Sequence, residues 1–109
     1  MIGQISVAAA SASVGTDLFE GEIWQQSPVP RVLSRVGLAG SAAALDTKVS
    51  VFIGTVKVAE MYNSATGAVL INQHMIPLGE AVPPNEKIHM YVDDAPDTNP
   101  INAIVELLE

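Results

Sequence analysis

The chain has 109 residues and a mass of 11.4 kDa, room for one hydrophobic core and hence one domain. Twelve acidic side chains stand against five basic ones, a net charge of −7, while 49% of residues are apolar and 16% charged. That balance excludes charge-driven disorder and argues against a nucleic-acid partner, whose phosphates would be repelled. The absence of cysteine excludes disulfides, thiolate metal sites and cysteine nucleophiles.

Met1-Ile2-Gly3-Gln4-Ile5 lacks a basic leader region, and Ala8 to Ser13 is too polar and short for a signal core. No run approaches the length of an apolar transmembrane helix, so the expectation is cytoplasmic synthesis and no membrane partner. Ile5, Val7 and Ala9 alternate with Gln4, Ser6 and Ala8, the period-two mark of a strand with one buried face. Because residues 1–16 carry no charged side chain, they also read as an extended arm laid across a neighbouring subunit as an added strand.

Further strands are predicted over 20–26 and 32–38, separated by turns at Pro28 and Pro30. The alanine-rich stretch 39–46 predicts a single helical turn. Val49, Val51 and Ile53 alternate with Ser50 and Phe52, and strands are expected again over 56–62 and 68–75, with Asn63 to Gly67 as the hairpin loop between them. Pro77 with Gly79, Pro83-Pro84-Asn85, and Pro96 through Pro100 read as turns. Ile88, Met90 and Val92 alternate with His89 and Tyr91. The tail has two readings. Asn99 and Pro100 suit a helix start, with Ile101, Ile104, Val105 and Leu108 on one helical face. As a strand, Ile101, Ala103, Val105 and Leu107 share a face opposite Asn102 and Glu106, and the β-branched residues favour this second reading. The sum is an all-β chain: a single domain over 1–109, a small jelly roll or β-sandwich of about eight short antiparallel strands.

Charge is unevenly spread. Residues 1–54 hold four acids against three bases, whereas 55–109 hold eight against two. The densest cluster, Asp93, Asp94 and Asp97 with Thr98 and Asn99, offers oxygen ligands of the kind calcium takes, but without the spacing of an EF-hand loop it reads first as a solvated turn. His74 and His89 both fall in expected strands, with His89 turned toward solvent or a partner; neither belongs to a nucleophile elbow. Gly37-Leu38-Ala39-Gly40 matches no phosphate-binding loop. The sequence therefore nominates no catalytic, cofactor-binding or metal-ligating residue, and predicts a protein that is not an enzyme.

Four residues instead read as interface candidates. Arg31 and Arg35 share a face of an extended segment and flank Leu33, placed to grip carboxylates on a neighbouring subunit. Trp24, the single tryptophan, suits an interface anchor or a sugar-stacking platform. Phe19, Leu33, Leu38, Leu70 and Ile104 are more apolar surface than so small a core requires, and suggest burial between subunits as a homodimer or homotrimer.

The segment Val82-Pro83-Pro84-Asn85-Glu86-Lys87-Ile88-His89-Met90-Tyr91-Val92, followed by Asn99-Pro100 and a final strand, resembles the small jelly-roll cement or decoration proteins of tailed-phage heads. The likeness extends to chain size and strand rhythm, and carries no functional residue with it. It implies a structural subunit on the outer surface of a virion, made in the host cytoplasm, which staples the major capsid protein against internal DNA pressure. A calcium-assisted carbohydrate- or receptor-binding module, using Trp24, Tyr62 or Tyr91 with the Asp93–Asp97 loop, is the alternative.

Overall fold

Alternating apolar residues become strands wherever one face can be buried, and two such faces meet here. The computed structural model describes residues 1–8, 11–40, 46–63, 75–96 and 100–109. Among these, seven strands form: β1 (Ile2–Val7), β2 (Arg31–Gly40), β3 (Lys48–Ile53), β4 (Val56–Tyr62), β5 (Met75–Val82), β6 (Ile88–Asp94) and β7 (Ile101–Leu108). One sheet has the order β1-β7-β2-β5 and the other β4-β3-β6, with every pairing antiparallel.

An eighth extended segment completes the second sheet. The Gly15 amide donates to the Val92 carbonyl at 2.8 Å, the Val92 amide to Thr16 at 2.9 Å and the Leu18 amide to Met90 at 2.8 Å. Asp17 bridges Tyr91 in antiparallel register. Residues 15–18 thus cover the outer edge of β6. Counted in chain order with this segment second, the first segment pairs with the eighth, the second with the seventh, the third with the sixth and the fourth with the fifth. That is a long antiparallel hairpin rolled into two layers, the topology of a jelly roll.

The core lies between the layers. Leu33, Val36, Leu38, Ala103, Val105 and Leu107 from one sheet meet Val49, Val51, Ile88, Met90 and Val92 from the other. Each such side chain contributes about 1.5–3 kcal/mol through removal from water. The tail is a strand with Ile101, Ala103, Val105 and Leu107 buried, as its β-branched residues suggested. Phe19, Leu33, Leu38 and Ile104 are also closed to solvent, so the fold itself buries them and they are not available to a second subunit; Leu70 lies outside the described residues.

Several expectations are corrected. Residues 20–26 are not a strand: a 3-10 turn forms at Ile23–Gln25, because the segment has no ladder partner and instead crosses the end of the sandwich. Residues 39 and 40 continue β2 rather than a helical turn, held by pairing to Asn102 and Ile101 of β7; 41–45 lie outside the described residues. Pro77 and Gly79 fall inside β5, not in a turn. β5 is an edge strand, where a missing amide costs nothing, and Gly79 takes φ +64 at an irregularity in its pairing with β2. Residues 2–7 pair with β7 of their own chain, from Ile2 opposite Glu106 to Val7 opposite Ile101, so they do not form an arm reaching a neighbour. Of the expected 63–67 loop and 68–75 strand, only Asn63 and Met75 are described.

Candidate functional site

The two arginines part company at a β-bulge. Pairing of β2 with both neighbours slips between Leu33 and Arg35: Ser34 is the extra residue against β7, whereas β5 sets two residues, Leu78 and Gly79, against it. Before the slip Leu33 faces the core; after it Val36 and Leu38 do. The inward parity changes from odd to even, so Arg31 and Arg35, which an unbroken strand would place side by side, end on opposite faces. They do not form the paired grip expected from the sequence.

Arg35 lies on the outer face and makes a two-point bond to Glu106 of β7, Nη2 to Oε2 at 2.7 Å and Nε to Oε1 at 3.1 Å. Hydrogen bonds from Arg35, and then from Ser34, hold the Glu106 carboxyl below its ordinary range, and the same bond raises the Arg35 guanidinium. Leu33 is a core residue.

Arg31 turns inward at the end of the sandwich and is 7% exposed. Its Nη1 donates to the Trp24 carbonyl at 2.5 Å, while Nε and Nη2 are buried and meet no acceptor. Burial pushes this guanidinium down from its ordinary value, opposed by the charge of Glu109. Trp24 is nearly buried, its ring edge-on to Phe19 at 4.9 Å and lying over Gly3 of β1. Arg31 and Trp24 line a cleft of about 530 Å³ together with Gln26, Ser27 and Leu107. Its rim carries Met1, Leu108 and Ile23, the last 94% exposed. Trp24 and Arg31 are thus brought together, by the 3-10 turn on one side and the start of β2 on the other.

Apolar exposure continues onto the outer face of the four-stranded sheet. Val32 pairs with Leu108 on one side and Ala81 on the other, and Ile2 stands diagonally beyond Leu108 on β1. All four are exposed, and together they make a row across β1, β7, β2 and β5 that leads into the cleft. Sequence reading missed this row because single apolar residues at outward positions are ordinary, and only the cross-strand register aligns them.

A second polar cluster fastens residues 15–18. Asp17 Oδ1 accepts the amides of Phe19 and Met90, each at 3.1 Å, while Oδ2 lies 2.7 Å from His89 Nδ1 and accepts from Gln25 Nε2 at 2.9 Å. Gln25 Nε2 also donates to the Ile88 carbonyl at 3.1 Å. His89 is stacked on Tyr91 at 5.2 Å and largely shielded, not turned to open solvent. An acid oriented on an imidazole is half of a general-base arrangement, but each described partner here is a backbone or amide group that ties β6 to the segment beside it. His74 lies outside the described residues.

The acidic cluster is only partly described, since Asp97 is not among the described residues. Asp93 accepts a hydrogen bond from the Ser50 hydroxyl, and Asp94 sits opposite Lys48 in the ladder. Among the described residues no group of three or more histidine or carboxylate side chains stands together in a way that would hold a metal ion. Tyr62 is exposed, with the Lys48 ammonium 5.9 Å from its ring centre, and Tyr91 is packed between Phe52 and His89. No protein-family model, curated protein or solved structure matches the chain.

Proposed function

We propose that this protein works through its surface rather than through chemistry, as a structural subunit that decorates the outside of a capsid shell and staples neighbouring coat proteins. The observation that carries the reading is the apolar row Ile2, Leu108, Val32 and Ala81, running into a cleft rimmed by a fully exposed Ile23. Contiguous apolar surface at one end of a small acidic domain is costly to leave in water, and such patches mark interaction sites. The remainder of the molecule suits a passive load-bearing part. Its two layers are sealed by a rolled hairpin whose first and last strands are neighbours, so tension on either is shared with the sheet. The jelly roll also serves lectins and enzymes, so the reading rests on the surface and on the likeness of the 82–92 segment, Asn99-Pro100 and the final strand to phage-head proteins.

The test is mass determination by light scattering in calcium and in EDTA, followed by co-sedimentation with phage heads lacking their outer protein. A dimer or trimer indifferent to calcium, which pellets with the heads, is the expected result. A monomer whose melting temperature rises with calcium overturns it in favour of a ligand-binding module.

A further inference from the structure

The Arg31 cleft has a chemistry that an apolar patch lacks. A guanidinium presents its Nε–H and Nη2–H along one edge, spaced to receive both oxygens of a carboxylate. In this chain that edge is buried and without an acceptor, while the remaining nitrogen Nη1 is anchored on the Trp24 carbonyl. Buried donors are nearly always satisfied, and an unmade bond to a charged group costs more than one to a neutral group. Trp24, Leu107 and Leu108 give the cleft an apolar side, with Ile23 outside, and Gln26, Ser27 and Glu109 give it a polar one.

We infer that this cleft receives one aspartate or glutamate carboxylate from a partner polypeptide, with an apolar residue beside it seated against Ile23 and Leu108. Charge complementarity sets the class of occupant. Among the described residues Arg31 is the one cationic side chain lining the cleft; the Met1 ammonium, which donates to the Leu107 carbonyl, and Glu109 line it too, and the chain as a whole carries −7. A single carboxylate matches one guanidinium edge, and the Met1 ammonium is already engaged by the Leu107 carbonyl. A phosphate dianion or an acidic run would instead meet added repulsion from Glu109 and the net negative charge. The apolar rim gives a polypeptide segment contacts that a bare small anion cannot use. This inference deepens the interface reading and rests on it, naming the partner's chemistry at one end of that surface.

The chain supplies its own reporters. Trp24 is the only tryptophan, and Arg31 and Arg35 are the only arginines, so tryptophan emission and two 15Nε resonances read the site in the unmodified protein. The probes are acetyl-Leu-Glu-amide, its isosteric control acetyl-Leu-Gln-amide, acetate and inorganic phosphate, at matched ionic strength. The glutamate peptide is expected to move the Arg31 Nε signal and Trp24 emission while Arg35, already paired with Glu106, stays in place. It is expected to bind about tenfold or more tightly than the glutamine peptide, the ordinary worth of a charge-assisted bond. Arg31→Lys keeps the charge but loses the edge and should weaken binding by a similar factor, and Ile23→Glu, at a fully exposed position, should weaken it without unfolding the chain.

Equal responses to the two peptides, or an unmoved Arg31 signal, overturn the inference. Acetate binding as tightly as the glutamate peptide overturns the polypeptide occupant in favour of a small-anion site, and tighter phosphate binding overturns the carboxylate. A silent titration on a calcium-independent oligomer removes the carboxylate alone and leaves the stapling role standing. A positive titration on a protein that fails to pellet with heads keeps the site and removes the capsid.

Discussion

Asp17 and His89, 72 residues apart in the chain, meet at 2.7 Å, and the same carboxylate also takes the backbone amides of Phe19 and Met90. One side chain thereby locks residues 15–18 onto the edge of β6 and supplies the second of the eight segments of the roll.

Asp17→Ala removes all of these bonds at once and leaves partly buried donors unpaired. The expected loss is about 2–4 kcal/mol, read as a lower urea midpoint. Hydrogen exchange should accelerate first at the Leu18 and Val92 amides, which join this segment to β6. Uniform exchange across both sheets would show that the segment is not separately fastened.

Gly3 gives Trp24 its seat. A methyl group at this position would lie 2.7 Å from Cε2 and Nε1 of the indole. Gly3→Ala should therefore displace the ring or the strand, at about 1–3 kcal/mol, with a red-shifted tryptophan emission. An unchanged melting temperature and spectrum would mean that β1 gives way freely.

The Arg35–Glu106 pair sets an acid response. The folded protein holds Glu106 below its ordinary range, chiefly through Arg35, so as the pH falls the unfolded chain takes up this proton first. The pair's stabilisation is complete above the ordinary glutamate value of about 4.3 and is lost as the pH drops through the lowered folded value. Glu106→Gln removes that component. The stability gap between wild type and variant should narrow as denaturation is repeated from about pH 6 down to about pH 3. A gap independent of pH would show that the bond discriminates poorly between charged and neutral acid.

Asn63 is buried and bonds to both neighbouring strands, accepting from the Thr47 amide at 2.9 Å and donating to the Gly40 carbonyl at 2.6 Å. It joins the end of β2 to the start of β3 across the point where the chain passes from one sheet to the other. Asn63→Ala should cost about 1–3 kcal/mol, and Asn63→Asp at least as much, since it keeps the acceptor but loses the donor and buries a charge. A fully stable aspartate variant would count against the double bond.

The strands were legible where alternation and one-sided burial coincide. β3, β6 and β7 follow Val49-x-Val51-x-Ile53, Ile88-x-Met90-x-Val92 and Ile101-x-Ala103-x-Val105-x-Leu107, while β4 fills the expected 56–62 stretch with Met61 its one buried residue. Residues 15–18 were not, because Gly-Thr-Asp-Leu has no alternation and is extended only by its neighbour's ladder. Ile23-Trp24 looked like strand material, since apolarity alone does not reveal whether a ladder partner exists. The candidate site was legible in composition but not in geometry. Trp24 and Arg31 were nominated, and they do meet. Pairing Arg31 with Arg35 assumed an unbroken strand, and a bulge at a serine has no local signature. Leu33, flanked by the two arginines and read as apolar surface beyond the needs of the core, is what the core of so small a sandwich uses. The Asp17–His89 contact depends on chain closure over most of the molecule, beyond the reach of any window of sequence.

The rolled hairpin also governs when this protein can fold. Ile2 faces Glu106 and Val7 faces Ile101, so the first strand to be synthesised waits for the last. Among the described strands only the β3–β4 turn is local; each pairing outward from it closes a longer loop at a higher entropic cost. The ladder therefore zips from the middle of the chain toward its ends, and refolding is expected on the slow scale of nonlocal β-domains, about milliseconds to seconds. On the ribosome β1 remains without its partner until β7 has emerged, and until then the edge of β2 that β7 will pair with stays open to any other nascent chain.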